Sequence, residues 1–237
     1  MSEPAIRQTP QRRVWDLPVR IAHWLLVIGI AGSYATHKLG VAYFQYHLWF
    51  GYLVVVLAAF RILWGFVGTR HARFQNFLRG PRHTAAYLLA LLRGTAPETP
   101  GHNPIGAWMV LFLLLVLVAQ GVTGLFANDE IFNTGPLYGY ISDALSLRLT
   151  SWHRRLFDWI FIAVVLHVLA VVAHRLFAGH DLIVPMFSGK KPANLVAEHE
   201  AISSSRLWLA TLLLAGLAAT VTWLVLRAPA PAVFTFE

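Results

Sequence analysis

The chain has no cysteine. That absence excludes disulfides, thiolate-held iron–sulfur clusters and covalent attachment of haem through a C-x-x-C-H motif. Charge is scarce too: 13% of the 237 residues are Asp, Glu, Lys or Arg, whereas 57% are apolar. Long segments almost free of charge recur, which excludes an ordinary soluble domain and points to a polytopic helical membrane protein. The net charge of +8 arises from 19 basic residues against 11 acidic ones. In a membrane protein such an excess reports orientation and contact with anionic lipid, so nucleic acid is not an expected partner. Methionine is rare, with three copies, and the 11 histidines are left as the main candidate ligands for any metal-centred group.

Five segments are long and apolar enough to span a membrane: about Ile21–Thr36, His47–Val67, Ile105–Ala127, Leu156–Phe177 and Leu207–Leu226. No small-residue cleavage site follows the first, so it is expected to stay in the mature protein. With a cytoplasmic N-terminus, 14 of the 19 Lys and Arg residues fall inside, Arg7 and Arg61 among them. The positive-inside rule then sets the N-terminus in and, after five spans, the C-terminus out. The inner connection Arg61–Asn103 carries an Arg-flanked apolar stretch from Pro81 to Gly94, expected as an interfacial helix. The outer connection Asn128–Ser151 is long enough to cap a site or receive a partner. The fifth span has no ionisable residue and a run of small ones, Ala215–Thr220, as expected of a packing helix.

The stretch Trp152–Val168 carries the chemistry. His153 stands at the mouth of its apolar run and His167 deep inside, 14 positions apart. On a helix that is about 21 Å, with both imidazoles within roughly 40° of one face. Ionisable groups inside a span are costly and mark function. Sorted by depth, His47 matches His153 near the outer face and His23 matches His167 near the inner one. Each pair would close one six-coordinate haem iron between helices, so three helices supply four ligands. His37, 14 residues after His23, is a rival to His47; it precedes a helix exit at Lys38-Leu39-Gly40, whereas His47 leads directly into the second span. His174 could replace His167 or contact a propionate. His71, His83, His102, His180 and His199 fall in polar connections and are expected to be solvated. Propionates need cationic partners: Arg154 and Arg155 suit the outer haem and Arg20 the inner one, with Arg61 and Arg175 as weaker candidates.

Several motifs in order carry a family resemblance: PVRIAHW (Pro18–Trp24), HLWFG (His47–Gly51), GFVGTRHARF (Gly65–Phe74), the His153/His167 helix and HDLIVPMFSGKK (His180–Lys191). Over roughly Val14–Lys191 the chain resembles the bacterial cytochrome b561 and nickel–iron hydrogenase b-type cytochrome subunit superfamily. The resemblance implies a four-helix transmembrane domain over residues 14–191 holding two non-covalent, bis-His haem b groups. His23, His47, His153 and His167 match the family's ligands. Residues 192–237 would add a linker and a fifth transmembrane helix, which lies outside the usual core. The expected activity is transmembrane electron transfer, in the bacterial inner membrane, between a quinone such as ubiquinone and a periplasmic redox protein or enzyme subunit. A haem-bearing anchor of a periplasmic hydrogenase- or dehydrogenase-type complex is the first alternative. A His-rich metal transporter is the second, although apart from Asp158 the spans lack the carboxylates it would use.

Overall fold

The computed structural model describes residues 10–229; Arg7 and the end of the C-terminal tail lie outside the described residues. Five long helices form the molecule: α1 (Leu17–Leu39), α2 (Phe44–Val67), α5 (Pro104–Leu125), α6 (Asp143–Phe177) and α8 (Leu207–Leu226). Each is long and apolar enough to cross a membrane. Their starts follow from local chemistry. Asp16 Oδ1 accepts from Val19 N at 2.7 Å ahead of Pro18, and Asn103 Oδ1 accepts from Gly106 N at 2.7 Å ahead of Pro104. Both arrangements satisfy otherwise orphaned first-turn amides.

Helix α1 packs on α2, α2 on α5 and α8, and α5 on α6. The circuit closes through rings: His23 meets His167, and Tyr34 stacks on Phe157 with centroids 5.3 Å apart. The outer faces stay apolar and exposed, as Trp159, Phe161, Ile162 and Leu166 show on α6. That belt is what lipid covers. Leu209, Leu213 and Leu217 of α8 pack against the buried cluster that includes Leu57, Phe60 and Trp64.

Three features differ from the sequence reading. Helix α1 begins four residues earlier than expected, because the Asp16 cap and Pro18 start it ahead of the apolar run. Helix α6 begins at Asp143, not Leu156, and its 35 residues reach about 52 Å, beyond a hydrocarbon core of about 30 Å. The extension is held because Ser146 and Thr150, one turn apart, fasten it to the preceding loop. Ser146 Oγ donates to Phe126 O at 2.7 Å and Thr150 Oγ1 accepts from Asn128 N at 2.8 Å. The third is a small antiparallel sheet, β1 (Gln11–Arg13) with β2 (Lys190–Pro192), in register Arg12 to Lys191. Lys191, 2% exposed, reaches Glu98 Oε1 and Thr99 O, each at 2.9 Å.

This sheet ties the N-terminal strand, the segment that leads into α5 and the segment after α6 into one clamp at the end where α1 begins. Short helices α3 (Phe74–Phe77), the expected interfacial α4 (Pro81–Leu92) and α7 (Val184–Ser188) complete the chain. At the opposite end lies the α5–α6 loop.

Candidate haem-binding site

Histidines of α1, α2 and α6 meet in two pairs. His23 and His167 lie toward the clamp, ring centroids 6.4 Å apart; His47 and His153 lie toward the loop, 6.3 Å apart. Two in-line metal–nitrogen bonds of about 2 Å, plus about 1 Å from each nitrogen to its ring centre, set opposed axial imidazoles about 6 Å apart. Both pairs have that separation. Midway between them on α6, Ile160 packs with Val54, Ala58 and Leu117 in a buried apolar layer.

The loop tier surrounds a cavity of about 440 Å³ lined by all four helices of the circuit and by Asp129, Asn133 and Gly135 of the loop. Its size is within the range of cofactor pockets. His153 Nδ1 lies 2.9 Å from Gln120 O. A carbonyl only accepts, so Nδ1 carries the proton and Nε2 keeps its lone pair, toward which Gln120 Nε2 donates at 3.2 Å. His47 repeats the pattern, its Nδ1 donating to Ser33 O at 2.9 Å. Gly124 lets the His153 ring lie on α5: a Cβ there would stand 2.7 Å from His153 Cε1. At Gly51, one turn after His47, a Cβ would meet nothing within 4 Å, so this wall is open to a flat group.

Charge at this tier is mixed. Arg154 and Arg155 are both exposed, and of the two only Arg154 is among the residues that line the cavity. Burial pushes the Asp129 carboxyl upward. The amides of Asn133, Ile131 and Phe132 and the Asn133 side chain outweigh it, holding the group below the usual range and ionised. His37 also lines the cavity from the last turn of α1, 6.0 Å from His47. It is exposed, while His47 and His153 are half-buried.

At the clamp tier, His23 Nδ1 is buried without a hydrogen-bond partner. Arg20 Nη1 donates to Phe187 O, and its Nε is buried and unpartnered. Trp24 stacks on Phe187 at 4.4 Å, closing this side. His174 is buried with both nitrogens engaged: Nδ1 donates to Ala170 O at 2.8 Å and Nε2 accepts from Asn103 Nδ2 at 3.1 Å. Arg61 is buried, donating to Ala72 O at 3.1 Å and standing over the rings of Phe74 and Phe77. Arg175 is exposed.

Two histidines expected to be solvated are not. His71 is 8% exposed and donates from Nε2 to Glu200 O at 2.9 Å. His102 lies between Trp15 and Phe77, ring centroids 4.7 and 4.9 Å away. Burial, aided by Arg61, His167, His23 and His71, pushes its pKa down to about 3. The clamp folds these polar connections inward, which no local pattern announces. Gln120, the amide in an otherwise apolar span, was also passed over; polarity inside a span is the signal that would have found it.

Among the described residues, no group of three His, Cys, Asp or Glu is placed to hold a bare metal ion. The donors are opposed imidazole pairs beside apolar walls, and these fit a flat metal macrocycle.

The model of the prokaryotic cytochrome b561 family matches residues 14–189. The chain belongs to this family. Membership implies haem b and a role in membrane electron transfer. Similar proteins include three named as probable Ni/Fe-hydrogenase B-type cytochrome subunits. The one from Azotobacter vinelandii is 27% identical, with 78% of this chain and 90% of the relative covered. That from Rhodobacter capsulatus is 29% identical, covering 79% and 84%. That from Escherichia coli K12 is 25% identical, covering 74% and 88%. No solved structure matches.

Proposed function

We propose that this b561-family chain is a di-haem b cytochrome of the bacterial inner membrane, passing electrons between a hydrogenase-type redox partner and a quinone pool. One observation carries the reading: two imidazole pairs, on two levels of one bundle, share the separation of opposed axial ligands. The distribution of Arg and Lys supports a cytoplasmic N-terminus, so the loop tier is the periplasmic one. The names of the relatives support the partner.

Bound haem b supplies reversible one-electron iron chemistry. The chain's residues do the rest. His47 with His153, and His23 with His167, would hold the two groups; on α2 and α6 the Nδ1–H bonds to Ser33 O and Gln120 O fix the tautomer that presents Nε2. His47 is the ligand in preference to His37, because it faces His153 and is the more buried. His167 is preferred to His174 because its ring faces His23. Arg154 offers a cation to the periplasmic group's propionates and Arg20 to the cytoplasmic one's. The layer around Ile160 keeps water out between the tiers.

The test is a reduced-minus-oxidised visible spectrum of the purified chain with haem quantified per polypeptide. Two low-spin b-type haems are expected. Folded protein without haem, made under ample haem supply, overturns the reading; one haem overturns the two-tier assignment.

A further inference from the structure

The small sheet of the clamp sets like charges against each other twice, and the fold compensates only one of the two pairs. In its register Arg12 faces Lys191 and Arg13 faces Lys190. Like charges directly opposite on paired strands repel. The inner pair is compensated. Lys191 Nζ meets Glu98 Oε1 at 2.9 Å, and Arg12 Nη1 donates to Ala193 O at 2.9 Å and to Val196 O at 2.6 Å. Arg13 and Lys190 alternate to the other face and are exposed. Among the described residues neither has a carboxylate within ion-pair distance. Asp16, the described acid nearest in sequence to Arg13, is buried and accepts from Val19 N, Trp64 Nε1 and Thr69 Oγ1.

Beside this pair an apolar groove of about 310 Å³ opens between α1 and α7. Leu17, Ile21 and Leu25 of α1 line it with Met186 and Phe187 of α7, and Arg20 is its one charged residue. Ile21 and Phe187 are exposed, so the groove faces outward from the bundle. Gly189 joins it to the sheet. The Gly189 carbonyl accepts from Val14 N at 2.8 Å and from Trp15 N at 3.1 Å, and a Cβ on Gly189 would stand 3.1 Å from Arg20 Nε. The next residue is Lys190.

We propose that this groove binds one anionic glycerophospholipid, with Arg13 and Lys190 at its phosphate and an acyl chain along Ile21 and Leu25. Two opposed cations without a counter-ion require an anion, and the groove beside them requires an apolar chain. A phospholipid carries both. Free phosphate lacks the chain, and a quinone lacks the charge. The lipid screens the repulsion between the strands and so braces the clamp. Its leaflet, the inner one, follows from the cytoplasmic N-terminus of the reading above; the binding itself needs no haem, and leaves Arg20 free for a propionate.

The test is native mass spectrometry of the full-length chain in detergent, titrated with phosphatidylglycerol or with phosphatidylcholine of the same acyl chains. One phosphatidylglycerol per chain is expected to be retained in preference to phosphatidylcholine. Arg13→Gln and Lys190→Gln are each expected to weaken that retention about fivefold, the effect of one cation at a lipid surface, whereas Lys190→Arg keeps it. Ile21→Trp fills the groove and is expected to lower retention with the cations intact. Equal retention of the two lipids by the wild type overturns the inference, and this comparison holds even where a variant does not fold. A preference that survives in the double Arg13→Gln, Lys190→Gln variant assigns the lipid to other cations and also overturns it. Displacement by inorganic phosphate, or indifference to Ile21→Trp, leaves a free anion at the sheet in place of a lipid. Displacement by ubiquinone gives the groove to the quinone and overturns the inference as well. Haem content per chain, measured on the same samples, tests the di-haem reading separately.

Discussion

The two ends of the bundle build similar imidazole pairs by opposite means. At the loop end the site is made by the helices themselves: main-chain carbonyls of α1 and α5 orient His47 and His153, and glycines at 51 and 124 shape the walls. At the clamp end the surroundings are assembled from segments far apart in the chain. Trp15, Arg61, His71, His102 and Glu200 converge under β1–β2. One tier depends on helix geometry and the other on a folded cap, so substitutions should separate them.

The largest effect is expected from the ligands. His153→Ala should leave about one haem per chain, the clamp-tier one; His167→Ala should leave the other. Haem quantification together with the reduced spectrum checks this. A variant that keeps both haems, or a single variant that loses both while still folded, breaks the comparison.

Next is the clamp. Asp16 is 1% exposed and accepts from Val19 N, Trp64 Nε1 at 3.1 Å and Thr69 Oγ1 at 2.5 Å. Asp16→Ala removes a helix cap worth about 1 kcal/mol and leaves buried donors unpaired at about 1–3 kcal/mol each. A loss of about 3 kcal/mol or more is expected. Limited proteolysis should show the clamp end opening first, with clamp-tier haem lost before loop-tier haem. Equal loss from both tiers would mean that the cap does not serve its own tier in particular.

A subtler probe uses Gly51. Because a Cβ there meets no protein atom within 4 Å, Gly51→Leu costs the polypeptide little but fills the wall of the cavity. Loop-tier haem occupancy should fall several-fold with little change in helix content by circular dichroism. Unchanged occupancy would place the cofactor against a different wall.

These contrasts also explain what the sequence could show. The five spans and the depth pairing of His23, His47, His153 and His167 are encoded locally, by apolar length and by the 14-residue spacing on α6. The same spacing does not separate His37 from His47; the burial of His47 opposite His153 favours His47. The clamp was illegible for a different reason. Lys191, His71 and His102 sit in polar connections that read as solvated, and their burial follows from a pairing of Arg12 with Lys191 across nearly the whole chain. The start of α6 was missed because apolarity marks the membrane-crossing part alone. Ser146 and Thr150 continue the helix by binding the loop, and no hydropathy pattern registers that.

The smallest predicted effect separates the ends by pH. His102 titrates near 3 in the fold against an ordinary value of 6.5, mainly because burial disfavours its charged form. The unfolded chain therefore binds the proton more readily than the folded one. The stability held by neutral His102 is fully present above about pH 6.5 and is lost as pH falls toward 3. At pH 5 the difference amounts to about 2 kcal/mol. His71, lowered by burial in the same direction, adds to it, and both residues lie in the clamp. Acidification from pH 7 to 5 should thus loosen the clamp end before the loop end, seen as faster proteolysis within 93–103 and 189–206. His102→Phe keeps a ring between Trp15 and Phe77 and removes the titration, so the drop in apparent melting temperature between pH 7 and 5 should shrink. An undiminished drop in that variant would shift the acid sensitivity to other groups and leave the clamp no more pH-dependent than the loop end.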